Sequence, residues 1–249
     1  MTSFVHLKSG AKHRHNSSMV NNLKKSPVPF FLIEIFVGFS LAIISILIFA
    51  EIAENVFGHE TQALDVTISR SFYALRTPWL TNLMLFFSFL GAEFTLLLAS
   101  LGAIFLALKK RKRESILFSC IFIMGVVINF LLKMMYQRPR PELSPLVHMS
   151  SFSFPSGHAM NAFIFYSILS FFVWHLTHKK RLTILVSCIS ACLIILIGLS
   201  RVYLGVHYPS DVLAGYVTGA FVFTTAIVVQ RTMAYFYYKK RRSELKEIV

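Results

Sequence analysis

Six apolar runs, each about 20 residues long, constrain the fold of this chain more than any other feature. A helix of that length spans the hydrocarbon core of a bilayer and pairs all of its own backbone polar groups. The runs therefore predict an all-α integral membrane protein with six transmembrane helices in one bundle. Only 14% of the residues are charged, against about 25% in soluble domains, which agrees with this fold. The expected spans are Phe30–Ala50, Ser88–Leu108, Ile116–Met135, Ala159–Thr177, Leu182–Leu199 and Val212–Gln230.

The segment between the first two spans, residues 51–85, is too polar to cross a membrane. Asp65, Arg70 and Arg76 alternate there with apolar residues, and Pro78 and Trp79 follow. We interpret it as an interfacial amphipathic segment of one or two helices at the outer surface, anchored by Trp79. The six-span domain is then expected to cover residues 29–238, between basic cytoplasmic tails at 1–28 and 239–249.

The net charge of +14 raises the possibility of nucleic-acid binding. The basic residues cluster beside the apolar runs, however, so a role in topology and in contact with anionic membrane lipids fits better. Eighteen of the 25 lysines and arginines lie in the two tails and in the loops after spans two and four. Basic residues concentrate on the cytoplasmic side of membranes. We therefore expect a plasma-membrane protein with both termini in the cytoplasm.

The same topology brings three polar stretches to the outer face. In the first, Lys133 ends span three, and Pro139 and Pro141 stop the helix, which leaves Arg140 on a loop above it. A lysine point charge and an arginine fork both suit phosphate oxygens. Taken alone, these residues would also fit as interfacial anchors.

The second stretch, Phe154-Pro155-Ser156-Gly157-His158, stands at the start of span four. A helix N-terminus offers unpaired N–H groups and positive dipole to an anion, and Gly157 allows close backbone approach. The alternative is a plain turn and helix start with an interfacial histidine.

The third stretch, residues 200–211, contains Arg201, His207 and Asp211 between two apolar runs. Asp211 can accept from His207 Nδ1–H, which would leave the lone pair on Nε2 available to attack phosphorus. A polar turn with Asp211 capping span six explains the aspartate but not the arginine and the histidine. Cations, a nucleophile and an acid on one face suit phosphoryl transfer.

The spacing of these stretches resembles the three-part signature of the type-2 phosphatidic acid phosphatase superfamily, the lipid phosphate phosphatases. The matching residues are Lys133-x6-Arg140-Pro141, Pro155-Ser156-Gly157-His158 and Ser200-Arg201-x5-His207-x3-Asp211. The resemblance implies a nucleophilic His207 that forms a phosphohistidine, an orienting Asp211 and His158 as general acid. It implies no metal and no cofactor. It also implies that the phosphate is bound by Lys133, Arg140, Ser156, Gly157 and Arg201.

The residues around the second stretch are similar to bacterial phosphatidylglycerophosphate and undecaprenyl-diphosphate phosphatases. The expected partners are therefore a lipid phosphate substrate and membrane lipids, without nucleic acid. The motifs recognise phosphate and not the lipid, so either of these two lipids, or phosphatidate, remains open. Two other classes share the scaffold: vanadate-dependent haloperoxidases, which are soluble and longer, and non-catalytic lipid-binding or transport proteins, which would be expected to lack one of the histidines.

Overall fold

The structure is a computed structural model that describes residues 28–91, 93–108, 112–142 and 144–247. Apart from Val28, the predicted basic tail 1–28 lies outside the described residues. All regular elements among the described residues are helices. They are α1 (Val28–Phe57), α2 (Gln62–Ala74), α3 (Pro78–Gly91), α4 (Glu93–Leu108), α5 (Lys112–Tyr136), α6 (Gly157–Thr177), α7 (Lys180–Tyr203) and α8 (Pro209–Glu247).

Six helical segments in the described part of the chain are long and apolar enough to cross a membrane, which confirms the predicted all-α, six-span fold. These segments are Phe31–Phe57, Pro78–Leu106, Ser115–Tyr136, Gly157–Thr177, Lys180–Tyr203 and Pro209–Tyr237.

Several boundaries differ from the expected ones, most of all the start of the second span. The second span begins at Pro78, ten residues before Ser88, because Thr77 caps the helix through its hydroxyl, which accepts from Leu80 N at 3.3 Å. Threonine before a proline is a strong helix start. The first helix continues past Ala50 to Phe57.

A helix does follow span one, as predicted, but α2 turns part of its polar side toward the protein. Asp65 and Ser69 are buried in α2, whereas Leu64 is 61% exposed. For a helix at a membrane surface, a polar face toward water was the expectation. The buried Asp65 has partners in the loop after α5 and at the start of α8, which are described below.

Residues 40–226 form one compact unit, and this unit contains all of the predicted site residues. Its largest apolar core includes Met160 and Ile164 of α6, Ile197 of α7 and Val222 of α8. Helix α8 approaches the start of α6 closely at Gly215, where a Cβ atom would lie 2.6 Å from the Ser156 carbonyl oxygen. Small residues allow this kind of close helix packing in membrane bundles.

Residues 28–39 and 227–247 form a second unit. Within it, Arg231 Nε lies 3.3 Å from Glu34 Oε2, and the rings of Phe31 and Tyr235 stack with centroids 4.3 Å apart. Glu34 is the one acidic residue inside the first expected span, and Arg231 is its basic partner. Ionisable groups in membrane helices usually have such partners.

Candidate active site

His207 lies in the turn that joins α7 to α8 and is 1% exposed. Gly205 allows this turn, because its φ of 75° falls in the left-handed region that favours glycine. Arg76 holds the turn from outside: Nε and Nη2 both donate to Tyr203 O, at 3.1 and 2.8 Å. The turn that carries His207 is therefore fixed by a residue between α2 and α3.

The two ring nitrogens of His207 face different partners. Nδ1 lies 3.5 Å from Asp211 Oδ2 and 3.3 Å from Ser153 Oγ, and Nε2 lies 3.3 Å from Arg140 Nη1. A proton on Nδ1 and a lone pair on Nε2 fit these neighbours, because the carboxylate accepts and the guanidinium donates.

The electrostatic surroundings keep His207 neutral. Burial lowers the pKa of His207 from its ordinary 6.5 to about 3, although the Asp211 carboxylate acts in the opposite direction. At neutral pH the ring therefore carries a free lone pair, which a nucleophile requires.

Asp211 is fully buried and surrounded by donors. Oδ2 accepts from Ser153 Oγ at 2.5 Å and from Tyr208 N at 2.8 Å, and Oδ1 accepts from Arg138 Nη1 at 2.6 Å. The bond to Tyr208 N caps α8, since Asp211 stands in the first turn of that helix and reaches back to the residue before it. Asp211 thus serves both as the cap and as the neighbour of His207.

Lys133 and Arg140, the two predicted phosphate ligands of the first stretch, both contact the backbone of residues 151 and 152. Arg140 donates to Ser151 O and Val206 O, both at 2.6 Å, and to Phe152 O at 3.2 Å. Lys133 Nζ also donates to Phe152 O. Burial lowers the pKa of Arg140, against an opposing effect of Asp211, yet a guanidinium stays charged in proteins.

The second stretch starts α6 as predicted. Ser156 is the N-cap of α6, its hydroxyl accepts from Ala159 N at 3.5 Å, and its own N–H donates to Asp211 O at 2.9 Å. Gly157 begins the helix, and a Cβ atom there would lie 3.0 Å from Asn129 Oδ1. The N-terminus of α6 and the first turn of α8 are therefore directly joined.

His158 and Arg201 complete the group. His158 lies within electrostatic reach of Arg201, His207, Arg140 and Lys133. Arg201, in the last turn of α7, is 2% exposed, and its Nη1 donates to Ser88 Oγ of α3. The fold thus brings all eight predicted residues together at one end of the unit formed by residues 40–226.

Comparison with known proteins identifies the family. Residues 114–235 match the model of the PAP2 superfamily. Phosphatidylglycerophosphatase B of Bacillus subtilis is 37% identical over 180 residues, which are 71% of this chain and 88% of that protein. The chain belongs to the PAP2 superfamily.

A solved structure and a second relative extend the comparison within PAP2. The crystal structure of a transmembrane PAP2 type phosphatidylglycerolphosphate phosphatase from Bacillus subtilis has a TM-score of 0.71 at 34% identity, covering 74% of this chain and 93% of that one. An undecaprenyl-diphosphatase of Sulfolobus acidocaldarius is 29% identical over 159 residues, 61% of this chain and 72% of that protein.

All eight predicted residues lie inside the segment matched by the PAP2 model, but several of their partners were missed. Ser88 and Asp65 precede that segment. Arg138 and Ser153 lie inside it and bind Asp211 directly. One signal was available in the sequence for Arg138, which stands two residues before Arg140 in the same basic stretch.

Proposed function

We propose that this PAP2 protein is a metal-independent lipid phosphatase that works through a phosphohistidine on His207. The observation that carries the proposal is the state of that ring, which is buried and neutral, with Nδ1 toward Asp211 and Nε2 toward Arg140. A nucleophile, a group that orients it and a cation beside the attacking atom are the parts that phosphoryl transfer needs. His158 and His207 are both present, which disfavours a non-catalytic protein on this scaffold.

In the first step, the lone pair on His207 Nε2 attacks phosphorus, and the bond from phosphorus to the leaving oxygen breaks. His158 gives that oxygen a proton, so the product leaves as an alcohol or as a lipid monophosphate. Asp211 holds Nδ1–H and stabilises the positive charge that the phosphorylated ring acquires.

In the second step, water attacks the phosphohistidine. His158, now neutral, takes a proton from that water, the bond from phosphorus to Nε2 breaks, and inorganic phosphate is released. His207 regains its lone pair, and His158 regains the proton that it gave in the first step.

The phosphate oxygens are held by charge and by backbone donors. Lys133, Arg140 and Arg201 would neutralise the equatorial oxygens, and the N-terminus of α6 at Ser156 and Gly157 adds N–H groups and the positive helix dipole. Arginine forks fix the orientation of the group as well as its charge.

A lipid is the natural substrate for a site at the end of membrane helices. An apolar cavity of about 160 Å³ lies between α1, α5 and α8 and suits part of an acyl or isoprenyl chain. Its lining includes Leu132, the residue before Lys133. The named activity of the Bacillus subtilis relative, and of the crystal structure from the same organism, supports phosphatidylglycerophosphate as the first substrate to test. The cavity is lined by Ser45, Ile46, Phe49, Ile128, Leu132, Thr218 and Phe221.

The proposed location is the plasma membrane, with both termini in the cytoplasm and the site facing outward. The distribution of basic residues supports this orientation, because the loops that carry the site hold far fewer of them than the opposite side.

The test uses the full chain purified in detergent. Phosphate release is measured from phosphatidylglycerophosphate, undecaprenyl diphosphate, phosphatidate and diacylglycerol pyrophosphate. We expect turnover of at least one lipid, no inhibition by a metal chelator, inhibition by vanadate, and no turnover by His207→Ala. His148→Ala is the matched control, since His148 is exposed in the loop before α6. Turnover by His207→Ala, or strict dependence on Mg²⁺, would overturn the mechanism.

A further inference from the structure

We infer that Asp65 and Arg138 are positioning residues that hold the Asp211–His207 pair and set its charge. This inference rests on the proposed function of that pair. Neither residue belongs to the three stretches' matched motif positions, and Asp65 lies on α2, outside the segment matched by the PAP2 model.

The contact begins at Arg138, whose two terminal nitrogens bridge two carboxylates. Nη1 lies 2.6 Å from Asp211 Oδ1, and Nη2 lies 2.8 Å from Asp65 Oδ2. The guanidinium also lies over the ring of Tyr208, 4.4 Å from its centroid. A planar fork can hold two carboxylates in fixed directions, whereas a lysine ammonium is a single point charge.

Arg138 stays positively charged between its two carboxylate partners. Burial alone would lower the pKa of Arg138, but the carboxylates of Asp211 and Asp65 together raise it above its ordinary value. Short hydrogen bonds between charged groups that are shielded from water are stronger than neutral ones. Asp65, Arg138 and Asp211 therefore form a continuous ion-pair network next to the nucleophile.

Asp65 also connects this ion-pair network to the start of α8. Oδ1 accepts from the backbone N–H of Ser210 at 3.0 Å, and Oδ2 accepts from the Ser210 hydroxyl at 2.5 Å. Ser210 stands next to Asp211 in the first turn of α8, where backbone N–H groups lack partners within the helix. Helix α2 thus supplies a cap for α8 from 145 residues away in sequence and fixes the position of Asp211.

The same ion-pair network sets the net charge next to His207. Arg138 alone would cancel the negative charge of Asp211, and the phosphorylated ring would then face no net negative charge on its Nδ1 side. With Asp65 included, the three groups carry one net negative charge on the Nδ1 side of the ring. Asp65 therefore supports the cationic ring of the phosphohistidine, although it contacts neither the ring nor the substrate.

The decisive variant is Asp65→Asn. An asparagine keeps an oxygen that can accept from Ser210 N, but it loses the negative charge and the ion pair with Arg138. In the purified full chain with phosphatidylglycerophosphate, we expect kcat to fall about 10- to 100-fold while KM stays within about twofold. The rate of phosphoenzyme formation should fall with kcat. Arg70→Gln, an exposed change on the same helix, should leave both parameters unchanged.

Active-site titration separates positioning from folding. The amount of phosphoenzyme per molecule should stay near that of the unchanged protein, while its rate of formation falls. If Asp65→Asn lowers only the number of active sites, with an unchanged rate per site, Asp65 is merely structural and the inference is wrong. An unchanged kcat would also overturn it.

A double change tests whether Asp65 acts through Arg138. Arg138→Gln should lower kcat, and adding Asp65→Asn should cause little further loss. Fully additive losses would contradict the inference. Failure here is distinct from failure of the proposed function: if the unchanged protein releases phosphate and His207→Ala does not, the function stands whatever Asp65→Asn does.

Discussion

Arg140 Nη1 lies 3.3 Å from His207 Nε2, the nitrogen proposed to attack phosphorus. A phosphoryl group that reaches this nitrogen must therefore replace or shift that contact. The guanidinium that now faces the ring is then in position to bind a phosphate oxygen in its place.

Replacement of Arg140 should impair substrate binding and chemistry together. We expect Arg140→Ala to lower kcat/KM by at least about 100-fold, because a charged fork beside the reacting phosphate is lost. Arg140→Lys should be intermediate, since it keeps the charge but not the fork. Steady-state phosphate release from phosphatidylglycerophosphate measures both, and an Ala variant within threefold of the unchanged protein would contradict the assignment.

The lowered pKa of His207 predicts how thermal stability depends on pH. The unfolded chain takes up a proton on this histidine below about pH 6.5, whereas the folded protein does so only near pH 3. The contribution of His207 to the free energy of unfolding is therefore fully present above pH 6.5 and is lost as the pH falls toward 3. At pH 5 the loss from this residue is about 2 kcal/mol.

The measurement compares the Tm of the unchanged protein and of His207→Gln at pH 7.5 and pH 5. The unchanged protein should lose more stability between these two values than the variant does. An equal loss in both proteins would show that His207 titrates at its ordinary pKa.

Ser153 should contribute to catalysis through Asp211. Its hydroxyl donates to Asp211 Oδ2 at 2.5 Å, and Ser153→Ala would leave a buried carboxylate with one donor fewer. We expect kcat to fall about tenfold, which corresponds to about 1.4 kcal/mol in the barrier. Ser150→Ala is the control in the same loop, since Ser150 is exposed; equal activity of the two variants would rule out a specific role.

The close approach of α6 and α8 predicts a strong effect of a single methyl group. In Gly215→Ala the new Cβ would lie 2.6 Å from Ser156 O, so the two helices must separate. We expect a loss of about 1 to 3 kcal/mol in stability and a lower kcat. Gly102→Ala should be tolerated, because the nearest described atom to the new Cβ would belong to the Phe118 ring, at an ordinary 3.7 Å. Similar Tm values for both variants would contradict the packing argument.

Cysteine labelling checks the orientation. In a background where the three native cysteines are replaced, Ser150→Cys should react with a membrane-impermeant maleimide added to intact cells. Lys179→Cys, in the loop between α6 and α7, should react only after lysis, because that loop is expected in the cytoplasm. The reverse pattern would overturn the proposed orientation.

The sequence predicted what local patterns can encode. Long apolar runs specify membrane helices, and these could be read without coordinates. The spacing of Lys133, Arg140, His158, His207 and Asp211 indicated which residues would meet, while the chemistry assigned to them stays a prediction. The start of the second span was misplaced because the polar character of residues 76–81 outweighed the Thr77-Pro78 helix start.

The supporting contacts could not be predicted because they join distant parts of the chain. Asp65 and Arg138 are 73 residues apart in sequence, and no periodicity relates them. The interfacial interpretation of residues 51–85 also gave no reason to expect an ion-pair partner for Asp65 inside the protein. A single sequence gives no sign that a surface helix will turn a carboxylate inward.

The carbonyl contacts of Arg140 and Lys133 bear on the end of the catalytic cycle. When phosphate leaves two neighbouring cations, their mutual repulsion is no longer offset, and the buried site solvates them poorly. Both effects favour retention of the product. Here Ser151 O and Phe152 O can accept from these cations as the ion departs. The backbone of one short loop thereby competes with the product, so inorganic phosphate should dissociate readily and inhibit turnover only weakly.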